Sequence, residues 1–224
     1  MEQKTLQPVG YIHTDFKEKF GIPRQSGRAP SSMGEIIFEQ PFCDKDAFRE
    51  IESFSHLWLL FNFSAVEQKE FCPLVRPPRL GGNTKVGVFA SRSPFRPNGI
   101  GLSCVKLERV NYTEKGVSLI VSGVDLLDGT PIIDVKPYIP SADCQIDAKG
   151  GYADGVKDYK VKVVFPTHLQ DKIPADKLCA LIECLSDDPR PSYQQDGREY
   201  GMAFAGKNVK FSVQNGTLTV MAIE

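Results

Sequence analysis

A basic stretch without acidic residues holds the side chains of this sequence best suited to bind an anion. No Asp or Glu lies between Glu70 and Glu108, and the whole chain has a net charge of only −1, so the positive charge is local. The six basic residues of this stretch are Arg76, Arg79, Lys85, Arg92, Arg96 and Lys106. Arginine offers planar, forked donors for carboxylate or phosphate. Interleaved Gly and Pro allow close backbone approach on stiff loops, so the stretch predicts a loop-built anion site.

A second segment places acid–base groups at alternate positions. It reads Asp134-Val135-Lys136-Pro137-Tyr138, so on a β-strand the Asp, Lys and Tyr side chains would share one face. Such a face could transfer protons or bind a substrate. The alternative is a solvated strand face that carries an Asp–Lys salt bridge.

One loop of the basic stretch, a second basic segment near the N-terminus and one histidine each admit two interpretations. The loop that contains Arg92 and Arg96 is either a ligand loop or a rigid loop whose arginines bind carbonyls and surface carboxylates. The segment from Lys17 to Arg28 either contacts an anionic partner or is an exposed loop. His56 lies on an apolar strand candidate, which favours a hydrogen-bonded core histidine over a catalytic one.

Composition excludes several classes of protein. A hydrophobic content of 41% and a charged content of 25% are typical of soluble globular chains of this length. The apolar runs are too short to span a bilayer and the N-terminus lacks the apolar stretch of a signal peptide, so we expect a cytoplasmic protein. The six cysteines form no Cys-x-x-Cys pair and the three histidines lie far apart, so no metal site is predicted. The phosphate-binding glycine motifs and the Gly-x-Ser-x-Gly elbow are absent from the sequence.

Short strand candidates dominate the first 140 residues and predict a mainly β barrel or closed sheet. The candidates are Val9–His13, Glu35–Glu39, Leu57–Phe63, Lys85–Ala90, Ile100–Val110, Gly116–Val124 and Ile132–Lys136. One helix is expected there, over Asp44–Phe54. A polar linker follows, and then a small α+β unit with a helix over Pro174–Leu185 and a hairpin turn at Asn215-Gly216. We place the boundary between residues 1–145 and residues 146–224.

Seven motifs, in order along nearly the whole chain, resemble the bacterial TrmO (YaeB, TsaA-like) family. They are Arg-Gln-Ser-Gly (24–27), Phe-Ser-His-Leu-Trp (54–58), Arg-Pro-Pro-Arg-Leu-Gly-Gly-Asn (76–83), Gly-Val-Phe-Ala-Ser-Arg-Ser-Pro-Phe-Arg-Pro-Asn (87–98), Asp-Gly-Thr-Pro (128–131), Asp-Val-Lys-Pro-Tyr (134–138) and Asp-Pro-Arg-Pro (188–191). The resemblance implies an S-adenosylmethionine-dependent tRNA methyltransferase that modifies the exocyclic nitrogen of threonylcarbamoyl-adenosine beside the anticodon. It also implies a single-sheeted β-barrel in the N-terminal domain and a homodimer with the cofactor near the subunit interface.

The resemblance assigns cofactor residues on matching positions. They are Gln25, Ser26, Gly27, Ala65, Val66, Arg92, Leu102, Gly129, Thr130, Pro131 and Ile132. The sequence departs from the family at two places, because the family often has Pro where this chain has Gly99 and His where it has Ser64.

The chemistry of that reaction suggests roles for the remaining residues. The acceptor nitrogen belongs to a urea-like group and must lose a proton, so we expect a general base, first Asp134 and alternatively Tyr138. Lys136 or Arg92 would hold the threonyl carboxylate or stabilise negative charge on the carbamoyl oxygen. The anticodon stem-loop is expected to contact Arg76, Arg79, Lys85, Arg96, Lys17, Lys19 and Arg28. Competing hypotheses are a non-catalytic sensor of a nucleotide-like ligand and a methyltransferase for a small-molecule acceptor.

Overall fold

The structure is a computed structural model that describes residues 5–67, 70–80, 83–191, 193–194 and 196–224. Its strands are β1 Gly10–Thr14, β2 Met33–Phe38, β3 His56–Asn62, β4 Leu74–Val75, β5 Val86–Gly87, β6 Ile100–Thr113, β7 Gly116–Ser122, β8 Thr130–Pro137, β9 Lys162–Val164, β10 Glu199–Phe204, β11 Lys207–Gln214 and β12 Thr217–Ile223. Its α-helices are α1 Pro140–Asp143, α2 Thr167–Gln170 and α3 Ala175–Ser186. Among the described helices, none is long and apolar enough to cross a membrane.

Six strands close into one barrel in the order β1-β2-β7-β6-β3-β8. Every neighbouring pair in it is antiparallel, including the closing pair of β1 with β8. Closure removes the unpaired edges that an open sheet would expose. The predicted single-sheeted β-barrel is therefore confirmed.

Alternation along the strands fills the barrel with apolar side chains. In β3 the buried residues are Leu57, Leu59 and Phe61, and the residues between them face outward. Burial of such side chains is the dominant stabilising term of the fold. Gly101 lies opposite Phe61 on β6, and a Cβ atom there would lie 2.2 Å from the Phe61 ring. This position therefore requires glycine.

The C-terminal unit, residues 160–224, is an α+β layer with strand order β10-β11-β12-β9. Helix α3 begins one residue after the predicted start and buries Ala180, Leu181, Cys184 and Leu185. Asn215 and Gly216 both have positive φ and join β11 to β12 in the predicted hairpin. The predicted small α+β unit is confirmed.

The barrel and the C-terminal unit share one continuous core. Phe16 packs edge-on against Phe204, with ring centroids 5.7 Å apart, and Phe20 stacks on Phe211 at 6.4 Å. Asp15, the residue before Phe16, forms an ion pair of 2.7 Å with Lys177 of helix α3. The two units are thus joined by apolar burial and charge.

Two local predictions were wrong. The helix expected over Asp44–Phe54 is a pair of 3-10 turns, Lys45–Phe48 and Ile51–Ser53, because Glu50 between them is left-handed (φ 68°) and interrupts the helical path. The strand expected over Lys85–Ala90 is extended only at Val86–Gly87 and then turns into a 3-10 helix.

Candidate active site

One end of the barrel, here called the upper end, gathers the loops that carry the predicted cofactor residues. Strands β1, β7 and β3 end there, whereas β2, β6 and β8 begin there. The three loops of this end are therefore residues 15–32, 63–99 and 123–129. Topology alone brings together segments that lie far apart in the sequence.

The Gln25-Ser26-Gly27 segment lies across this end and is held by three different parts of the chain. Ser26 Oγ accepts a hydrogen bond from the amide of Cys104 at 3.1 Å, two residues beyond Leu102 on β6. The amide of Gly27 donates to the carbonyl of Gly123 at 2.9 Å. Gln25 Oε1 accepts from Arg92 Nη1 at 2.7 Å. These contacts bring Gln25, Ser26, Gly27, Leu102 and Arg92 into one neighbourhood.

Two glycines leave room at this end. Gly27 and Gly129 have φ of +75° and +74°, and a Cβ atom built on either would meet no heavy atom within 4 Å. A left-handed glycine with open space above it lets a ligand approach the backbone closely. Both glycines are among the cofactor residues that the resemblance assigns, and that assignment stays a prediction.

The other predicted cofactor residues are placed differently. The side chains of Thr130 and Ile132 are buried in the barrel wall, so only neighbouring atoms of β8 can reach a ligand there. Leu102 is 45% exposed on the outer face. Ala65 lies just after β3, and its carbonyl accepts a hydrogen bond from Lys19 Nζ at 2.5 Å.

Asp125 is a residue of this site that sequence reasoning did not select. Its Oδ1 accepts from Ser103 Oγ at 2.6 Å, and the amide of Ser26 also donates to the carboxyl group. Burial raises the pKa of Asp125 to about 6, although these hydrogen bonds and the positive charge of Arg92 act in the opposite direction. A single Asp shortly after a strand looks like a turn residue in the sequence, so no signal distinguished it.

The 24–28 segment is held at both ends by residues of the C-terminal unit and by Tyr159 just before it. Arg24 Nη2 donates to the carbonyls of Asp188 and Arg190 at 3.3 and 2.7 Å. Arg28 forms an ion pair with the Asp187 carboxylate, which is only 4% exposed, and donates to the carbonyl of Tyr159 at 2.7 Å. The clamp fixes both ends of the segment that contains Gln25, Ser26 and Gly27.

The Asp-Pro-Arg-Pro motif forms the other half of this clamp. Arg190 is buried and its guanidinium lies 2.9 Å from Asp188 Oδ1 and 3.2 Å from Asp196 Oδ1. Tyr159 also donates its hydroxyl to Asp188 at 2.9 Å. Burial alone would raise the pKa of Asp188, but the donors from Arg190 and Tyr159 hold it below its usual value. The motif therefore presents its carbonyls to Arg24 from a rigid, charge-balanced loop.

The Asp134 and Lys136 side chains lie on the outer surface of the barrel. Asp134 pairs with Leu60 and Lys136 with Trp58, which are outward-facing residues of β3. A register shift at this point shows that Ile133 is an extra residue, so β8 bulges one position before Asp134. Lys136 Nζ lies 3.0 Å from Asp134 Oδ2, as in the alternative interpretation of a salt bridge on a solvated face.

Tyr138 directly follows β8, at the end of that strand opposite to Thr130. Its amide bonds to the carbonyl of His56, the first residue of β3, and its ring lies 5.7 Å from that of Trp58. Eight residues of extended strand separate it from Thr130, which corresponds to roughly 25 Å. Desolvation and the neighbouring Cys144 thiol raise the pKa of Tyr138, so its hydroxyl stays protonated at neutral pH.

The basic residues predicted to bind nucleic acid fall into two groups. Lys17 lies 2.5 Å from Asp128, while Arg28 has the internal partners described above. Arg76 and Lys85 are exposed, and Arg96 is half-buried because it donates to the carbonyl of Ser91 at 3.0 Å. The side chain of Arg79 lies outside the described part of the structure. Within that part, no cluster of His, Cys, Asp or Glu is arranged to hold a metal ion.

Comparison with known proteins places the chain in a family. The family models described as "tRNA-methyltransferase O N-terminal domain" and "TrmO C-terminal domain" match residues 11–144 and 158–224. The chain therefore belongs to the TrmO family, which confirms the resemblance seen in its motifs.

Relatives and solved structures agree with this assignment. A tRNA (adenine(37)-N6)-methyltransferase of Escherichia coli (strain K12) is 39% identical over 233 residues, covering 100% of this chain and 99% of the relative. A protein with the same name from Eikenella corrodens is 45% identical, and the match covers 76% of this chain and 97% of the relative. A crystal structure of TrmO from Pseudomonas aeruginosa superposes with a TM-score of 0.78 at 35% identity, covering 100% of both chains.

The residues at the upper end fit S-adenosylmethionine chemically. The cofactor combines a cationic sulfonium with a charged amino acid group and an adenosine. Gly27 and Gly129 leave open space beside the backbone. Asp125 offers a carboxyl group and Arg92 a guanidinium, while Leu102 offers exposed apolar surface. Donors, acceptors and apolar surface are thus all present for such a ligand.

Proposed function

We propose that this protein methylates the exocyclic nitrogen of threonylcarbamoyl-adenosine at the position next to the anticodon of tRNA, with S-adenosylmethionine as the methyl donor. Its relatives include proteins named as S-adenosylmethionine-dependent methyltransferases. Two relatives, one matched along the whole of this chain and one along 76% of it, are named for methylation of tRNA adenine 37. The choice of the threonylcarbamoyl form is the specific part of the proposal.

The observation that carries the proposal is the convergence of three loops at the upper end of the barrel. The Gln25–Gly27 segment, Arg92 and Asp125 meet there, and the acid-free basic stretch leaves the barrel at the same end. A polyanion such as tRNA is attracted by positive charge. The basic stretch supplies positive charge and has no acidic residue within it.

In this proposal the chain binds the donor through the upper end. Gln25, Ser26, Gly27 and Arg92 hold it, with Asp125 supporting Ser26 from behind. When bound, S-adenosylmethionine supplies a methyl group on a positively charged sulfur. Positioning of the acceptor against this methyl group supplies much of the rate acceleration of methyl transfer, because the entropic cost of bringing the two reactants together is met on binding.

The outward face of β8 then handles the acceptor. The urea-like nitrogen has a delocalised lone pair, so the Asp134 carboxylate would accept its proton as the C–N bond forms and the methyl C–S bond breaks, with the donor leaving as a neutral thioether. Lys136, which is 3.0 Å from Asp134, holds the threonyl carboxylate. Tyr138 acts as a hydrogen-bond donor, because its raised pKa makes it a poor base at neutral pH.

A homodimer completes this arrangement in our proposal. Asp134 faces the barrel exterior, whereas Gln25 lies at the upper end, and Leu102 exposes apolar surface between them. A second copy that covers this outer face would bury Leu102 and bring its own upper end toward Asp134. The proposal predicts that gel filtration with light scattering gives twice the mass of the chain.

The experiment that tests the substrate compares two acceptors. Labelled S-adenosylmethionine is incubated with the protein and with the same tRNA either carrying or lacking the threonylcarbamoyl group. We expect label only in the modified tRNA. Equal label in both would reject the threonylcarbamoyl requirement, and no label in either, with the cofactor bound, would move the function toward a small-molecule acceptor or a sensor.

A further inference from the structure

The described residues of the segment between β3 and β6 (64–67, 70–80 and 83–98) leave the barrel as a folded projection. Its neck is closed by a hydrogen bond of 2.8 Å from the amide of Phe63 to the carbonyl of Gly99. Inside it, β4 pairs with β5, and the amide of Val88 donates to the carbonyl of Pro73 at 2.9 Å. Val88 is buried, so part of the projection packs around an apolar side chain.

Three phenylalanines on this projection are turned outward. Phe71, Phe89 and Phe95 are 60%, 74% and 58% exposed, and we call the contacting pair Phe71 and Phe89 the aromatic patch. The rings of Phe71 and Phe89 stack with their centroids 6.4 Å apart and their planes 29° apart. Large aromatic side chains are seldom left this exposed unless they contact a partner.

The charge around the aromatic patch indicates what partner it fits. The projection carries exposed Arg76, Lys85 and Arg92; its acidic residues, Glu67 and Glu70, both precede Phe71, and none occurs from position 71 to position 107. Aromatic faces interleaved with positive charge bind single-stranded nucleic acid, because bases stack on the rings while the phosphates pair with the cations. Unpaired bases of RNA loops are recognised in this way.

The aromatic patch is connected to the candidate active site. Arg92 on the projection donates to Gln25 at 2.7 Å, and Lys19 bonds to the Ala65 carbonyl at the base of the projection. Arg96 braces the loop that carries Phe95, since it donates to the carbonyl of Ser91 at 3.0 Å. The projection that carries the rings is therefore bonded directly to the segment that contains Gln25.

We propose that the aromatic patch is a stacking platform for the unpaired anticodon-loop bases that flank the methylated nucleotide. The inference rests on the proposed function for its choice of RNA. It adds that the aromatic patch binds the anticodon loop once the target base has left the stack. Positive charge attracts the backbone, and the rings hold the neighbouring bases in register.

The test measures binding of a synthetic anticodon stem-loop to the full-length protein. Stacking is worth roughly 5- to 100-fold in affinity per base, so Phe89→Leu and Phe71→Leu should each weaken binding within that range. Phe89→Trp should retain affinity, because tryptophan keeps the ring face. Tyr112→Leu, which removes an exposed ring on the β6–β7 hairpin, is the matched control and should change nothing.

Three readouts separate the possible outcomes. Melting temperature and S-adenosylmethionine affinity should match the unmodified chain in every variant, because these rings are exposed. Unchanged RNA affinity in both leucine variants would overturn the inference, even if tRNA is methylated normally. A change of dimer mass in place of RNA affinity would also overturn it and make the patch a contact between copies. Ring-dependent binding of the stem-loop without methyl transfer would sustain the platform and reject the proposed function.

Discussion

Removal of the Arg28 guanidinium should both destabilise the fold and weaken cofactor binding. Arg28 is the partner of Asp187, a carboxylate that is only 4% exposed. Loss of one partner from a buried ion pair costs about 3–5 kcal/mol, because the other charge remains buried. Lys160, 3.6 Å from the same carboxylate oxygen, offsets part of this, so we expect about 2–3 kcal/mol for Arg28→Ala.

The consequences can be measured by thermal melting and calorimetry. For a chain of this size, that loss lowers the melting temperature by roughly 5–10 °C. Because Arg28 holds one end of the Gln25–Gly27 segment, the Kd for S-adenosylmethionine should also rise several-fold at a temperature where the variant is folded.

Arg49→Ala is the matched control, since it removes an equal side chain from a fully solvated ion pair with Asp46. Such pairs contribute less than about 1 kcal/mol. If Arg28→Ala melts at the same temperature as Arg49→Ala, the clamp does not stabilise the fold. If it melts earlier yet binds the cofactor as tightly as the unmodified chain, the clamp does not position the segment.

Three further predictions concern the barrel. Asp134→Asn should lower kcat by about 10²–10⁴-fold with cofactor binding unchanged, and normal turnover would reject Asp134 as the base. Because the pKa of Asp125 is raised to about 6 in the folded state, its contribution to stability is present at pH 4 and is lost as the pH rises toward 7. Asp125→Asn should flatten that part of the stability profile, by at most about 3 kcal/mol, as measured by urea unfolding at several pH values. Gly101→Ala should destabilise the barrel by about 1–3 kcal/mol, because its methyl group overlaps the Phe61 ring, and an unchanged urea midpoint would contradict that packing.

Local patterns in the sequence were sufficient where one physical effect dominates. The apolar run Leu57–Phe61 was sufficient to predict a strand, and the Asn215-Gly216 turn was sufficient to predict a hairpin. The run did not show which of its side chains face the barrel interior, because all five are apolar. The helix over Asp44–Phe54 failed because its apolar spacing was real but Glu50 adopts a left-handed conformation that propensity does not reveal.

The candidate site depended on contacts that no local pattern contains. The hydrogen bond between Arg92 and Gln25 joins residues 67 positions apart, and the pair of Arg28 with Asp187 joins residues 159 apart. Motifs identified the segments, but only barrel closure brought them together. Asp125 was missed for the same reason, since its burial and its bond to Ser103 follow from the tertiary fold.

The central claim is methyl transfer to threonylcarbamoyl-adenosine, and mass spectrometry of nucleosides tests it most directly. Transfer RNA from cells that lack the endogenous activity is incubated with the protein and S-adenosylmethionine, digested and analysed with fragmentation. The account predicts a new nucleoside one methyl group heavier than threonylcarbamoyl-adenosine, with the methyl on the exocyclic nitrogen. A methyl group on any other atom, or no new nucleoside from folded protein that binds the cofactor, would contradict it.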